Sequence, residues 1–140
     1  MEPKQATEQS AGYDVYLPAN TEVKPGRQVI PLNFSLEISR GYEAKIEPRS
    51  GFSSKGMEGA DGRRHDADVI TGKVDADYRG IVGVIVDNHE GGAFWLSAGL
   101  RIAQMTFYKA EKVTFVPSER LSETKRGNGG FGHSGSGNGL

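Results

Sequence analysis

Three segments of this chain carry side chains suited to chemistry on a phosphorylated nucleoside. Pro48-Arg49-Ser50-Gly51 offers a guanidinium, a hydroxyl and a glycine that lets an anion approach the backbone. Gly72-Lys73-Val74-Asp75-Ala76-Asp77-Tyr78-Arg79-Gly80 offers carboxylates and an aromatic ring. A carboxylate in a partly dry crevice orients and deprotonates water, and a tyrosine ring packs flat on a sugar. The third segment, Arg126-Gly127-Asn128-Gly129-Gly130-Phe131-Gly132, sets an arginine and a phenylalanine in a Gly-rich tail. Such a tail does not order itself, but it can close as a lid that expels water. Ala11-Gly12-Tyr13-Asp14 adds a carboxylate at a strand start, and Gln104 adds two amide donors to an apolar strand. Taken singly, each segment also fits a bland reading: a capped turn, a solvated acidic loop, an edge-facing glutamine, a frayed terminus.

The elements that must position these groups follow from a period of two. Phe34, Leu36 and Ile38 alternate with polar residues, as do Tyr42, Ala44 and Ile46. That is the mark of strands with one wet face. Residues 81–86 are nearly all apolar and β-branched, as expected of a strand buried on both sides. Residues 102–108 and 113–116 also read as strands, and Pro25-Gly26, Arg40-Gly41 and Gly91-Gly92 mark turns. The pattern predicts an all-β sandwich or barrel. One short helix is expected over 49–55, after Pro48. The acidic segment 75–80 reads as a hairpin tip. Residues 56–68 hold seven charged or histidine side chains and only Met57 as a large apolar one, which predicts an exposed, mobile loop.

Composition narrows the classes. With 140 residues the chain fits one domain, divided here as 1–124 for the β-domain and 125–140 for a flexible arm. It has no cysteine, which excludes disulfide and thiol chemistry. A net charge of −1 argues against a general nucleic-acid binder. No apolar run is long enough for a membrane span, and residues 1–10 lack a signal-peptide core, so a cytoplasmic or nuclear setting is expected. His65, His89 and His133 have no metal-ligand spacing.

In their order along the chain, Ala11-Gly12-Tyr13-Asp14, Pro48-Arg49-Ser50-Gly51, 72–80, Arg101-Ile102-Ala103-Gln104 and 126–132 resemble the five motifs of the trimeric dUTPase family. The resemblance spans nearly the whole chain. It implies a jelly-roll-like β-barrel and a homotrimer with shared active sites, one subunit's C-terminal arm closing a site built by the other two. The implied reaction is Mg²⁺-assisted hydrolysis of dUTP to dUMP and pyrophosphate. By the same resemblance Asp75 activates the attacking water, and Tyr78 packs on the deoxyribose and excludes a 2′-hydroxyl. Backbone near Val69 and Gly72 reads uracil. Arg49, Ser50, Gly51 and Gln104 bind phosphate, and Asp14 meets Mg²⁺ through a bound water. Arg126 clamps phosphate from the arm, Phe131 stacks on uracil with Gly132 beside it, and Ser134 donates to phosphate.

Three departures stand out. His133-Ser134 replaces the family's Ser-Thr, residues 55–75 are longer and more polar than usual, and Lys73 stands where an apolar residue is common. A cation two residues before Asp75 favours that carboxylate's ionised form where both face the same way. Two other readings share parts of this pattern: a dCTP deaminase on the same barrel, and a regulatory protein switched by nucleotide that binds a partner through 56–68.

Overall fold

The computed structural model describes residues 1–132; Ser134 lies outside them. The period-two segments form β1 (Lys4–Gln5), β2 (Tyr13–Tyr16), β3 (Thr21–Val23), β4 (Gly26–Ser35) and β5 (Tyr42–Glu47). After these come α1 (Ser50–Lys55), β6 (Met57–Glu58), β7 (Arg64–His65), β8 (Ala67–Ile70) and β9 (Gly72–Val74). The last strands are β10 (Ile81–Asn88), β11 (Phe94–Leu96) and β12 (Arg101–Lys109). One sheet runs β1-β2-β12-β5-β9 and a second runs β4-β10-β8, with β11-β3 and β6-β7 as smaller pairs. Every pairing is antiparallel. The inner faces of both sheets meet in one apolar cluster that includes Val15, Leu32, Ile46, Val84, Leu96 and Ile102, giving a jelly-roll-like β fold. Each such aliphatic side chain contributes about 1.5–3 kcal/mol by leaving water.

Four expectations need correction. β10 is not buried on both faces: Val82, Val84 and Val86 are buried, Ile85 is half-buried and Ile81 is exposed. Only its inner face meets the core; the outer one, with Val29 across from Ile85, is left without cover by the described residues. Residues 113–116 form no strand, and Val113, Phe115 and Val116 are exposed. A strand needs an edge to pair with, and among the described residues none meets this segment.

The 75–80 segment is not a simple hairpin tip. β8 pairs with β10 from Ile70–Ile85 back to Ala67–Asn88, which is the stem of a hairpin. Beyond Thr71 the chain leaves β10, and β9 pairs with β5 in the other sheet instead. The ribbon therefore splays between the two sheets.

The 56–68 segment is exposed over much of its length, as expected, but it is not without structure. Met57, His65 and Ala67 are buried, and β6 pairs with β7. His65 lies between two carboxylates, with Nδ1 2.8 Å from Glu90 Oε1 and Nε2 3.0 Å from Asp61 Oδ2. Its ring stacks on Phe94 at 4.0 Å. The Glu90 hydrogen bond, followed by that of Asp61, holds the imidazole above its usual range. Asp61 and Glu90 are each held below theirs, Asp61 chiefly by the Arg63 backbone N–H and Glu90 chiefly by His65. Gly56 completes the turn: it has φ 86°, and a Cβ there would stand 2.6 Å from the His65 carbonyl oxygen. A polar composition suggested mobility; the charges instead neutralise one another around a buried ring.

Candidate active site

The site residues expected from the sequence fall into two groups at opposite ends of β5. At the Glu47 end, β12 runs between β2 and β5, so Gln104 has Asp14 on one side and Glu47 on the other. Gln104 Nε2 donates to the Pro48 carbonyl at 3.3 Å. Arg49 follows in extended conformation as the residue before α1. Its Nη1 donates to the Arg101 carbonyl at 2.9 Å, and its guanidinium lies 5.2 Å from the Phe52 ring. Arg101 in turn approaches the half-buried Asp14 carboxylate at 3.6 Å. The six-residue α1 is held by the buried Phe52, which leaves Ser50 and Gly51 exposed with the free N–H groups of a first turn. Asp14, Arg49, Ser50, Gly51 and Gln104 thus gather in one place. This is a surface of oriented donors and one carboxylate, suited to a polyanion that brings a cation.

At the Glu43 end sits Asp75, one residue past β9. Register places Val74 across from Ala44, so Asp75 lies beside Glu43. Asp75 is exposed and lines a cleft of about 980 Å³ whose walls include Ser39, Tyr42, Glu43, Ala76 and Arg79. The turn that follows is self-supporting. Tyr78 N–H donates to the Asp75 carbonyl at 3.1 Å, the Tyr78 hydroxyl donates to the Ile81 carbonyl at 2.9 Å, and Arg79 Nη1 donates to the Ala76 carbonyl at 2.7 Å. Gly80 leaves room for the Tyr78 ring in this position, since a Cβ there would push the phenol aside. Tyr78 is left half-exposed, face available.

Val69 is buried in β8 opposite Val86, and Gly72 pairs with Ile46. Between them the chain crosses from one sheet to the other. The edges of 71–74 and 81–84 that would face each other in a closed hairpin are therefore not laddered together. Backbone donors and acceptors in such a gap are available to a planar ligand edge.

The two groups do not meet within one chain. At the roughly 3.3 Å rise of a strand, Arg49 lies about 20 Å from Glu43 and its neighbour Asp75. The described tail residues meet neither group. Arg126 Nε donates locally to the Gly129 carbonyl at 2.6 Å, and Phe131 and Gly132 are exposed.

Sequence reasoning missed several charged partners. Arg101 and Glu47 belong to the Glu47 end, where the Tyr108 hydroxyl donates to Glu47 at 2.9 Å. That bond, with some desolvation, holds the Tyr108 phenol above its ordinary range. At the other end Glu43 takes the Lys73 ammonium at 3.1 Å. The signal for Arg101 was present, since it opens the segment that carries Gln104. Glu43 and Lys73 are 30 positions apart in sequence, and only the register joins them.

Known proteins resemble this chain over most of its length. Residues 2–135 match the dUTPase family model. A deoxyuridine 5′-triphosphate nucleotidohydrolase of Chlamydia trachomatis serovar L2 is 41% identical over 139 residues, covering 95% of this chain and 90% of that protein. One from Arabidopsis thaliana is 40% identical over 134 residues, covering 95% and 75%. Among solved structures, the Staphylococcus bacteriophage 80alpha dUTPase G164S mutant with dUpNHpp superposes with a TM-score of 0.84 at 25% identity, covering 96% of this chain and 92% of that one.

Proposed function

This chain belongs to the dUTPase family, and from that premise we propose that it hydrolyses dUTP to dUMP and pyrophosphate in sites shared between copies of a homotrimer. It is a dUTP diphosphatase. Asp75 accepts a proton from water, whose oxygen attacks the α-phosphorus in line. The bond from that phosphorus to the bridging oxygen breaks, and pyrophosphate leaves. Arg49, Gln104 and the N–H groups at Ser50 and Gly51 neutralise the charge that builds on the phosphates, so most of the acceleration comes from positioning and electrostatics. The Tyr78 face packs on deoxyribose and leaves no space for a 2′-hydroxyl. The splayed backbone around Val69 and Gly72 pairs with the uracil edge. In the cell the reaction limits uracil incorporation into DNA and supplies dUMP for dTTP synthesis.

The observation that carries the shared site is the separation of about 20 Å along β5 between Asp75 and the Arg49 group. That separation favours a nucleotide lodged between the Asp75 end of one copy and the Arg49 end of another. Two uncovered apolar surfaces support an assembly of copies: the outer strip of Val29 and Ile81, and the exposed Val113, Phe115, Val116 and Leu121. The remaining tail, with Arg126 on phosphate, Phe131 over uracil and Gly132 beside it, closes the site as an arm, and Ser134 extends its contacts.

Mg²⁺ fits the donor set as an ion carried by the triphosphate. Among the described residues, no three His, Cys, Asp or Glu side chains converge as a protein cage. Mg²⁺ keeps several waters and takes few protein oxygens beside substrate phosphates, which suits the single half-buried Asp14 carboxylate. The chemistry the ion supplies is neutralisation of phosphate charge.

The test is a panel of dUTP, dTTP, dCTP and UTP, each with and without Mg²⁺, with pyrophosphate release measured. Release from dUTP alone, dependent on Mg²⁺, is expected. Ammonia released from dCTP would put the chain among the deaminases that share the barrel.

A further inference from the structure

Lys73 stands two residues from the proposed base, yet it does not touch it. Ala44 and Val74 face each other across β5 and β9 and are buried, so their neighbours Glu43, Lys45, Lys73 and Asp75 share the outer face of the sheet. On that face both ammonium groups have partners other than Asp75. The Lys73 ammonium lies 3.1 Å from Glu43 Oε2, and the Lys45 ammonium lies 4.7 Å over the Tyr108 ring. Arg79, on the other side of Asp75, is occupied by the Ala76 carbonyl and by Glu37 at 3.4 Å. Arg40, Asp77 and Lys112 are the other charged groups on the cleft wall. Among the described residues the Asp75 carboxylate has no ion-pair or hydrogen-bond partner.

We propose that Glu43 is a positioning residue for proton transfer: it holds the Lys73 ammonium away from Asp75, which keeps that carboxylate unpaired and basic. The inference rests on the reading of Asp75 as the base. A carboxylate bonded to an ammonium has fewer lone pairs for water and binds a proton less tightly. Both changes weaken a general base. Lys73 reaches the same outer face as Asp75, so something must compete for it. Glu43, with its side chain only 17% exposed, is the fixed competitor. Together Lys73 and Glu43 add no net charge beside Asp75. Removing either leaves an unbalanced charge, and the sign depends on which one is removed.

The experiment reads kcat at saturating dUTP against pH, at low salt, for the unmutated protein and four variants. Glu43→Gln frees the ammonium. Its acid limb is expected to move to lower pH by roughly half a unit, the effect of one charge at about 7 Å in water-like surroundings. Its plateau rate falls several-fold as Lys73 turns to Asp75. Lys73→Met leaves the Glu43 anion, and its limb moves to higher pH by a similar amount. The double variant and Lys73→Arg both return the limb to its original place. Added salt shrinks the shifts. A purely mechanical brace between β5 and β9 would lower the rate in both single variants without opposite shifts, and that outcome overturns the proposal, as do unmoved limbs. Asp75→Asn separates the two levels. Turnover retained there rejects Asp75 as base, whereas turnover lost there with unmoved limbs in the other variants rejects only the role of Glu43.

Discussion

The two ends of β5 carry similar side chains in opposite states. At the Glu47 end, Asp14, Arg49, Arg101 and Gln104 are tied to one another or to backbone carbonyls of their own chain. At the Glu43 end, Asp75 has no such ties and Tyr78 shows half its ring to solvent. The difference matches the roles proposed for the two ends. Phosphate-binding groups gain by being fixed before the ligand arrives, since less ordering remains to be done on binding. A base needs free lone pairs aimed at a water, and here they are presented outward to a surface the chain itself does not own.

The largest break in that comparison is Asp75→Asn. It removes the only group assigned to accept the proton, so kcat is expected to fall by about 10³ while KM changes little, because the Glu47 end still holds the phosphates. Steady-state kinetics decide it. Arg49→Ala strikes the other end and removes a charge-assisted contact, raising KM by roughly 10- to 100-fold. Co-refolding these two variants then tests whether the ends meet between copies. Each alone is inactive or weak, yet about a quarter of the sites in randomly mixed trimers regain both groups. Recovery in the mixture is expected; none at all would mean that one chain supplies both ends.

Deleting residues 125–140 comes next. Arg126 and Phe131 make no contact with the barrel, so the melting temperature should hold while kcat/KM falls by about 10²-fold for want of closure. A lowered melting temperature would show the tail to be part of the fold.

The smallest effect concerns what roots the Asp75 end beyond its own turn, which Tyr78 and Arg79 hold. The ribbon is rooted where β8 meets β10, and there His65 joins Asp61 to Glu90. The imidazole is raised in the folded state, so its contribution is complete below about pH 6.5 and fades as pH climbs through the folded value. The two carboxylates are lowered, so theirs is present above about pH 4 and is lost as pH falls through their folded values. Thermal melts should therefore peak between these limits. His65→Gln should flatten the alkaline side of that peak and leave kcat near its original value. Should the alkaline decline survive the substitution unchanged, another group titrates it.

Much of the fold is legible in the sequence because a strand with one wet face writes its period directly into residue type. Tyr42, Ala44 and Ile46 gave β5, and the apolar run at 81–86 gave β10. α1 began one residue later than expected, with Arg49 extended before it. The site residues were legible as types in a motif order, through resemblance to a family. Their positions were not. The splay of the ribbon depends on β9 choosing β5 over β10, a competition between edges that no local pattern records. The His65 cluster joins residues 61, 65 and 90, and composition alone read it as solvent-exposed polarity. Val113 to Val116 looked like a strand because it has strand residues, but a strand also needs a partner edge.

By itself the sequence determined the longer strands β4, β5, β10 and β12 and several of the turns between them, because these follow from side-chain type and local spacing, while the carboxylate, ring and guanidinium proposed for the chemistry came from resemblance to a family. The tertiary structure alone decided that Asp75 and Arg49 stand at opposite ends of one strand, and that Glu43 rather than Asp75 receives Lys73. Both outcomes are set by the register of β9 against β5. That register is a property of two strands brought together by a shared core, and neither strand's sequence contains it.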